Sequence, residues 1–270
     1  METFEIPKEI LDGIYSQRSI EENQEETISP EQIIVDICNK ERGNLTGYDC
    51  PECLNRGYFV KLNERGYRVN TECKCMEIRR SQKRMRESGL SDLIDRYTFD
   101  NYTTNEPWQE KSLETAMKYS ENPNGWFVAV GNPGTGKTHL CTAICGVLLK
   151  RGMSTRYMLW KDASTEIKAS MKFAEDYEKL VYPYKSCKVL YIDDLFKVGK
   201  GQEPSSADVS LAFEILNYRY NDSSLITIIS SELLLESILD IDEAVGSRIY
   251  ERCKGNYLRL DGKPNWRLMH

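Results

Sequence analysis

The rhythm of apolar and polar positions changes partway along the chain. Beyond Gly89, short apolar runs alternate with helical stretches: Trp126–Val130, Thr155–Trp160, Val189–Ile192, Leu225–Ser230 and a last run at Tyr257–Leu260. Runs this short, apolar throughout and separated by segments such as His139–Lys150, predict strands in a parallel α/β sheet with helices on its flanks. Before Gly89 the pattern is different. Ser29-Pro30-Glu31 predicts a helix start ahead of Ile33, Ile34 and Ile37. Turn signals at Gly43, Gly47, Gly57 and Gly66 then break up a cysteine-containing stretch with short strands at Tyr58–Leu62 and Tyr67–Asn70. A basic helix over 76–88 is expected to stop at Gly89. This organisation divides the chain into an acidic, partly helical segment 1–45, a four-cysteine module with the basic helix at 46–89, and an α/β domain at 90–270.

Composition adds little until it is resolved along the chain. The 36 basic against 42 acidic residues give a net charge of −6, and 40% apolar with 29% charged residues describe an ordinary globular protein. The charge is segregated: residues 1–37 carry ten acids and two bases, whereas 74–86 carry six bases and one acid. No apolar run is long enough for a membrane span, and the N-terminal Met-Glu-Thr-Phe-Glu-Ile-Pro-Lys has no secretory pattern. A cytoplasmic protein is therefore expected, its cysteines being thiols or metal ligands rather than disulfides.

The strongest chemical signal is Gly131-Asn132-Pro133-Gly134-Thr135-Gly136-Lys137-Thr138, followed by His139. It satisfies G-x-x-x-x-G-K-[ST] and lies between a predicted strand and a predicted helix, the context a phosphate loop requires. Glycines let backbone N–H groups turn onto a triphosphate, and the helix N-terminus adds a favourable dipole. Lys137 is expected to neutralise the β- and γ-phosphates of ATP, and the Thr138 hydroxyl to ligate Mg²⁺. The run Val189–Ile192 ends in Asp193-Asp194. Asp193 is expected at the Mg²⁺ and Asp194 at the attacking water. This is the reading of a P-loop NTPase.

Cys50-Pro51-Glu52-Cys53 and Cys73-Lys74-Cys75 bring four thiols in two close pairs around a hairpin-like excursion, as a tetrahedral structural Zn²⁺ site requires. The alternative is four incidental thiols. Cys38, Cys141, Cys145, Cys187 and Cys253 show no such pairing. Tyr58, Phe59, Tyr67, Arg65 and Arg68 offer stacking and charge to single-stranded nucleic acid, or serve the module's own packing. The basic helix faces DNA phosphates, an acidic partner or solvent.

Four segments together carry a family resemblance: Gly-Asn-Pro-Gly-Thr-Gly-Lys-Thr-His-Leu at 131–140, Ile-Asp-Asp-Leu-Phe-Lys at 192–197, Phe-Glu-Ile-Leu-Asn-Tyr-Arg-Tyr at 213–220 and Gly-Ser-Arg-Ile-Tyr-Glu-Arg-Cys at 246–253. The chain resembles the AAA+ ATPases, and within them the DnaC/DnaI-type replicative helicase loaders of the phage and prophage branch. The resemblance runs from about residue 50 onward. It implies an ATPase that binds a hexameric replicative helicase through its N-terminal half, delivers it onto single-stranded DNA, and self-associates through the ATPase domain. It makes Arg248 an arginine finger acting on a neighbouring subunit, with 242–253 one helix; the alternative is a surface arginine paired with Glu243 or Glu251. The strand tip that senses the γ-phosphate, usually Asn in this family, reads Ser230-Ser231-Glu232. The polar contact is therefore expected from Ser231 or redirected by Glu232. Only 18 residues follow Arg252, too few for a lid domain. The base of ATP is expected near Tyr97, Phe99 and Asn101. Two other functions share the same core: an IstB-type ATPase that helps a transposase, and a nucleotide-gated adaptor that does not hydrolyse ATP.

Overall fold

Strands that are apolar throughout need cover on both faces, and the sheet receives it. In the computed structural model, which describes residues 29–87, 91–199 and 201–268, five parallel strands carry the sheet. They are β3 (Phe127–Gly131), β4 (Thr155–Leu159), β5 (Val189–Asp193), β6 (Ile226–Ser231) and β7 (Tyr257–Leu260), after a separate hairpin of β1 (Tyr58–Leu62) and β2 (Arg68–Glu72). The order across the sheet is β4-β5-β6-β3-β7. Successive side chains of a strand point to opposite faces. Val128 and Val130 of β3 thus join one apolar layer with Leu190, Ile192, Leu211, Ile215 and Ile249, while Phe127 and Ala129 join the other with Leu140, Ile144 and Leu148.

The helices obey the same logic. Ahead of the sheet come α1 (Pro30–Lys40), α2 (Cys75–Glu87), α3 (Ser91–Arg96) and α4 (Pro107–Glu121). Among the strands lie α5 (Lys137–Lys150), α6 (Trp160–Ser170), α7 (Ala174–Ser186), α8 (Ser206–Tyr220), α9 (Leu235–Ile241) and α10 (Glu243–Arg252). Ser29 caps α1, accepting from the Gln32 amide at 3.1 Å, and Pro30 occupies its first turn, as expected. Several boundaries differ from the sequence pattern, among them the second hairpin strand, which runs over Arg68–Glu72 instead of Tyr67–Asn70. Trp160 opens α6 instead of closing β4, because its indole turns into the core and meets the Phe196 ring edge-on at 5.5 Å. The strand expected at Leu225–Ser230 runs one residue later, at Ile226–Ser231. Contacts divide the chain after Met76, before the expected 90–100, because most of α2 packs with the α/β unit: Ile78 is buried, and Ser81 bonds both the amide and the carbonyl of Thr155. The acidic stretch 1–28 and the stop at Gly89 lie outside the described residues.

The segment before Met76 has its own local order. Asn39 at the end of α1 donates to the Val60 carbonyl at 2.9 Å and accepts from the Val60 amide at 3.0 Å, which pins the helix to β1. Among the described residues, no helix is long and apolar enough to cross a membrane.

Candidate functional site

In an open parallel sheet, ligands bind beyond the carboxyl ends of the strands. β3 ends in Gly131, whose φ of +127° and whose crowding against the Leu260 backbone both exclude a side chain. The loop then turns through Gly136, which caps α5 with φ +87°; a Cβ there would lie 2.9 Å from the Tyr102 ring. Thr135 ties the loop by donating to the Asn132 carbonyl at 2.9 Å. Lys137 is buried beneath it, donating to the carbonyls of Gly131 at 2.7 Å and Asn132 at 2.6 Å. Burial holds its ammonium below the ordinary lysine pKa.

Two strands over, beyond β6, β5 delivers Asp193 to the same place. Its carboxylate accepts from the Thr138 hydroxyl at 3.2 Å, Tyr191 at 2.7 Å, Tyr157 at 3.0 Å and Ser230. Thr138 and Asp193 are thus paired as a Mg²⁺ site needs, and the tyrosines hold the carboxylate in one orientation. Asp194 comes next with φ +56°, a conformation that turns its side chain out of the strand into the cavity. Burial, and next the Asp193 charge, raise its carboxyl above the usual carboxylate range, which suits a group that accepts a proton.

These groups surround a cavity of about 290 Å³. Pro133, Gly134, Thr135, Gly136, Lys137, Thr138 and His139 form one wall; Gly131, Asn132 and Asp193 do not line it but are tied to it through the Lys137 and Thr138 side chains. Tyr97 lines the cavity as expected, stacked on His139 at 4.7 Å, with Tyr102 edge-on to the same imidazole at 5.0 Å. His139 Nε2 meets the Thr98 carbonyl at 2.8 Å, and burial lowers its pKa from the ordinary imidazole value. Phe99 and Asn101 do not line it: Phe99 packs on the core, and Asn101 closes the turn from Arg96 to Thr98. The pattern missed Tyr102, Trp108, Trp266 and Arg267. β7 runs parallel to β3 and beside it, so residues after β7 emerge at the loop. Trp266 there donates its amide to the Gly134 carbonyl at 3.0 Å.

A polar ligand fits this cavity on the structure's own terms. The buried Tyr102 hydroxyl finds no hydrogen-bond partner among the described residues, and it stands against the glycine that opens α5.

The sensor expectation needs correcting for Ser231. Ser230 and Ser231 end β6 and point to opposite faces, Ser230 toward the Asp193 carboxylate and Ser231 away from it. Ser231 is buried, donating to the Leu195 carbonyl at 2.8 Å, and does not line the cavity; Glu232 does. Arg248 also lies outside its own chain's cavity. It pairs with neither Glu243 nor Glu251: its guanidinium donates to Asn217 at 3.0 Å and to the Ala244 carbonyl at 2.7 Å, over the rings of Phe213 and Tyr220.

The four cysteines expected as a set do meet. The Sγ atoms of Cys50, Cys53, Cys73 and Cys75 lie within 4.8 Å of one another, all buried. Leu54 and Asn55, both at positive φ, fold the turn after Cys53 so that the Gly57 amide donates to the Cys53 sulfur at 3.3 Å. Burial alone would push the Cys53 thiol up, but the Gly57 amide and the neighbouring thiols outweigh it and bring it to about 7. Cys38, Cys141, Cys145, Cys187 and Cys253 stand apart from this cluster.

With the geometry in place, comparison with known proteins becomes decisive. The family model of IstB-like ATP-binding proteins matches residues 63–253. The chain belongs to this family. Among relatives of this IstB-like chain, the uncharacterized protein YqaM of Bacillus subtilis (strain 168) is 34% identical over 71% of the chain, which spans 63% of YqaM. The phage-like element PBSX protein XkdC of the same organism is 31% identical, over 80% of this chain and 83% of XkdC. The crystal structure of the DnaC helicase loader superposes with a TM-score of 0.51 at 26% identity, covering 59% of this chain and 95% of that one. The fold is therefore the P-loop AAA+ core of DnaC-like proteins, and the family is an ATP-binding one.

Proposed function

We propose that the protein is an ATP-dependent loader that binds the hexameric replicative DNA helicase and helps deliver it onto single-stranded DNA. The observation that carries this reading is the likeness to the solved DnaC loader over 95% of that chain, centred on the phosphate loop and the Asp193–Asp194 turn. ATP is the nucleotide. Lys137 and the loop amides hold its phosphates, Thr138 and Asp193 hold Mg²⁺, and Asp194 orients and deprotonates the attacking water. Bound Mg²⁺ supplies charge neutralisation at the phosphates.

Arg248 acts on the nucleotide of a neighbouring subunit. Its place outside its own cavity, on a face stiffened by Asn217 and two aromatic rings, supports that role. The chain then self-associates through the ATPase unit, and hydrolysis depends on assembly. Before Met76, the four-cysteine cluster holds Zn²⁺ and the surrounding module grips the helicase. Four convergent buried sulfurs support a structural site. Tyr58 and Tyr67 are exposed there, as are Arg65 and Arg68, whereas Phe59 packs on the cysteines. Single-stranded DNA thus has an accessible aromatic and basic surface to meet.

The test is helicase-dependent unwinding of a duplex on single-stranded circles coated with binding protein. Wild-type chain with ATP should start unwinding, and the Lys137→Ala variant should not. Unwinding that is indifferent to the chain would remove the loader reading. The match to the IstB-like model supports a second reading, an ATPase that assists a transposase, which a transposase-dependent ATPase rate would support.

A further inference from the structure

The turn after β5 is built with an unusual backbone. Asp194 and Phe196 both adopt left-handed φ, +56° and +62°, although neither is glycine. Such residues persist only where surrounding contacts over-determine them, and they gather at functional sites. The contacts are present. The Leu195 amide donates to the Ser230 carbonyl at 2.9 Å, the Asp194 amide to the Ser230 hydroxyl at 3.1 Å, and the Lys197 amide to the Asp194 carbonyl at 2.9 Å. Leu195 and Phe196 are buried in the core, so the turn drives both apolar side chains inward. The two charged side chains on either side, Asp194 and Lys197, go to the nucleotide cavity.

Lys197 does not stand free in that cavity. Its ammonium pairs with Glu232, which lines the same wall from the tip of β6. Both side chains are part-exposed, at 36% and 30%, so either can leave the other for a ligand. Glu232 occupies the strand-tip position next to Ser231, whose hydroxyl is committed to the Leu195 carbonyl. A carboxylate cannot donate to a phosphate oxygen; the lysine it holds can. Lys197 is thus a second lysine in the cavity, facing Asp194 from the turn after β5, whereas Lys137 comes from the phosphate loop.

We propose that Lys197 reads the terminal phosphate of a bound nucleoside triphosphate, and that Glu232 holds it away until that phosphate displaces the carboxylate. The assignment rests on the nucleotide-binding reading of the cavity. It makes this pair the device that separates ATP from ADP, because only the third phosphate reaches it.

The experiment is calorimetric titration of full-length chain with Mg²⁺ and either ADP or a non-hydrolysable ATP analogue. A charge-assisted contact to phosphate predicts that Lys197→Ala weakens the analogue roughly tenfold, equivalent to about 1.4 kcal/mol, with ADP affinity unchanged. Lys197→Arg should restore most of the loss, and Glu232→Gln should tighten the analogue alone by removing its competitor. Equal weakening of both nucleotides by Lys197→Ala, or no effect on either, would overturn the assignment. A wild-type chain that binds neither nucleotide would remove the ATPase reading and this assignment with it. Thermal melts of each variant separate misfolding from lost recognition; a Lys197→Ala chain that melts early is replaced by Glu232→Gln, whose unchanged analogue affinity also counts against the pair.

Discussion

The segment before Met76 and the unit after it solve the same problem with different means. After Met76, two continuous apolar layers enclose a five-stranded sheet, and nearly every strand residue is fully buried. Before Met76, the buried cluster is four cysteines with Tyr48, Phe59 and Met76 half-buried against them, while every residue of β2 is exposed. A segment that small cannot bury enough apolar surface to offset its chain entropy, and in the proposed reading metal–sulfur bonds at the four cysteines take the place of a core. The first unit should then fail through loss of its sulfur ligation, the second through loss of its packing.

Removing metal should give the largest effect. Structural zinc contributes about 10–16 kcal/mol of folding free energy in small modules. A chelator, or Cys53→Ser, should release one zinc per chain and open residues 29–76 to protease while the sheet stays protected. Protease resistance that survives metal loss would break the comparison.

Two arginines then sharpen it within the ATPase unit. Arg248→Ala should lower oligomer-stimulated hydrolysis by roughly 10³-fold, about 4 kcal/mol of barrier, with nucleotide affinity and melting temperature little changed. Loss of nucleotide binding instead would assign Arg248 to structure. Arg219 is fully buried and donates to Thr227 and to the carbonyls of Tyr184, Lys185, Cys187 and Ile226. Arg219→Met leaves those carbonyls unpaired and should destabilise the unit by about 3 kcal/mol, read as a lower denaturation midpoint, without affecting zinc content. The smallest effect is expected from Cys145→Ala, a buried thiol with no role in metal binding: about 1 kcal/mol of stability lost and the zinc stoichiometry unchanged.

Much of this is legible in the sequence, because the informative features are local. The phosphate loop, the Asp193-Asp194 pair and the four cysteines are each short spacings whose chemistry requires those residue types. The features that the pattern missed depend on neighbours brought together by the sheet. The segment 213–220 carries family likeness, yet its Arg219 serves packing, which no spacing reveals. Ser231 still belongs to β6 and, because strand side chains alternate with period 2, points opposite to Ser230 and onto the Leu195 carbonyl. Trp266 and Arg267 reach the nucleotide cavity only because β7 lies beside β3. Topology could have supplied that last signal, since the residues after any strand parallel to β3 and beside it emerge at the phosphate loop.

The central claim is a helicase loader gated by nucleotide, and sedimentation velocity of the chain mixed with the replicative helicase hexamer tests it most directly. A complex should form through the zinc-loaded N-terminal module and change in stoichiometry or affinity when ATP replaces ADP. Separate sedimentation of chain and helicase under both nucleotide conditions would contradict it.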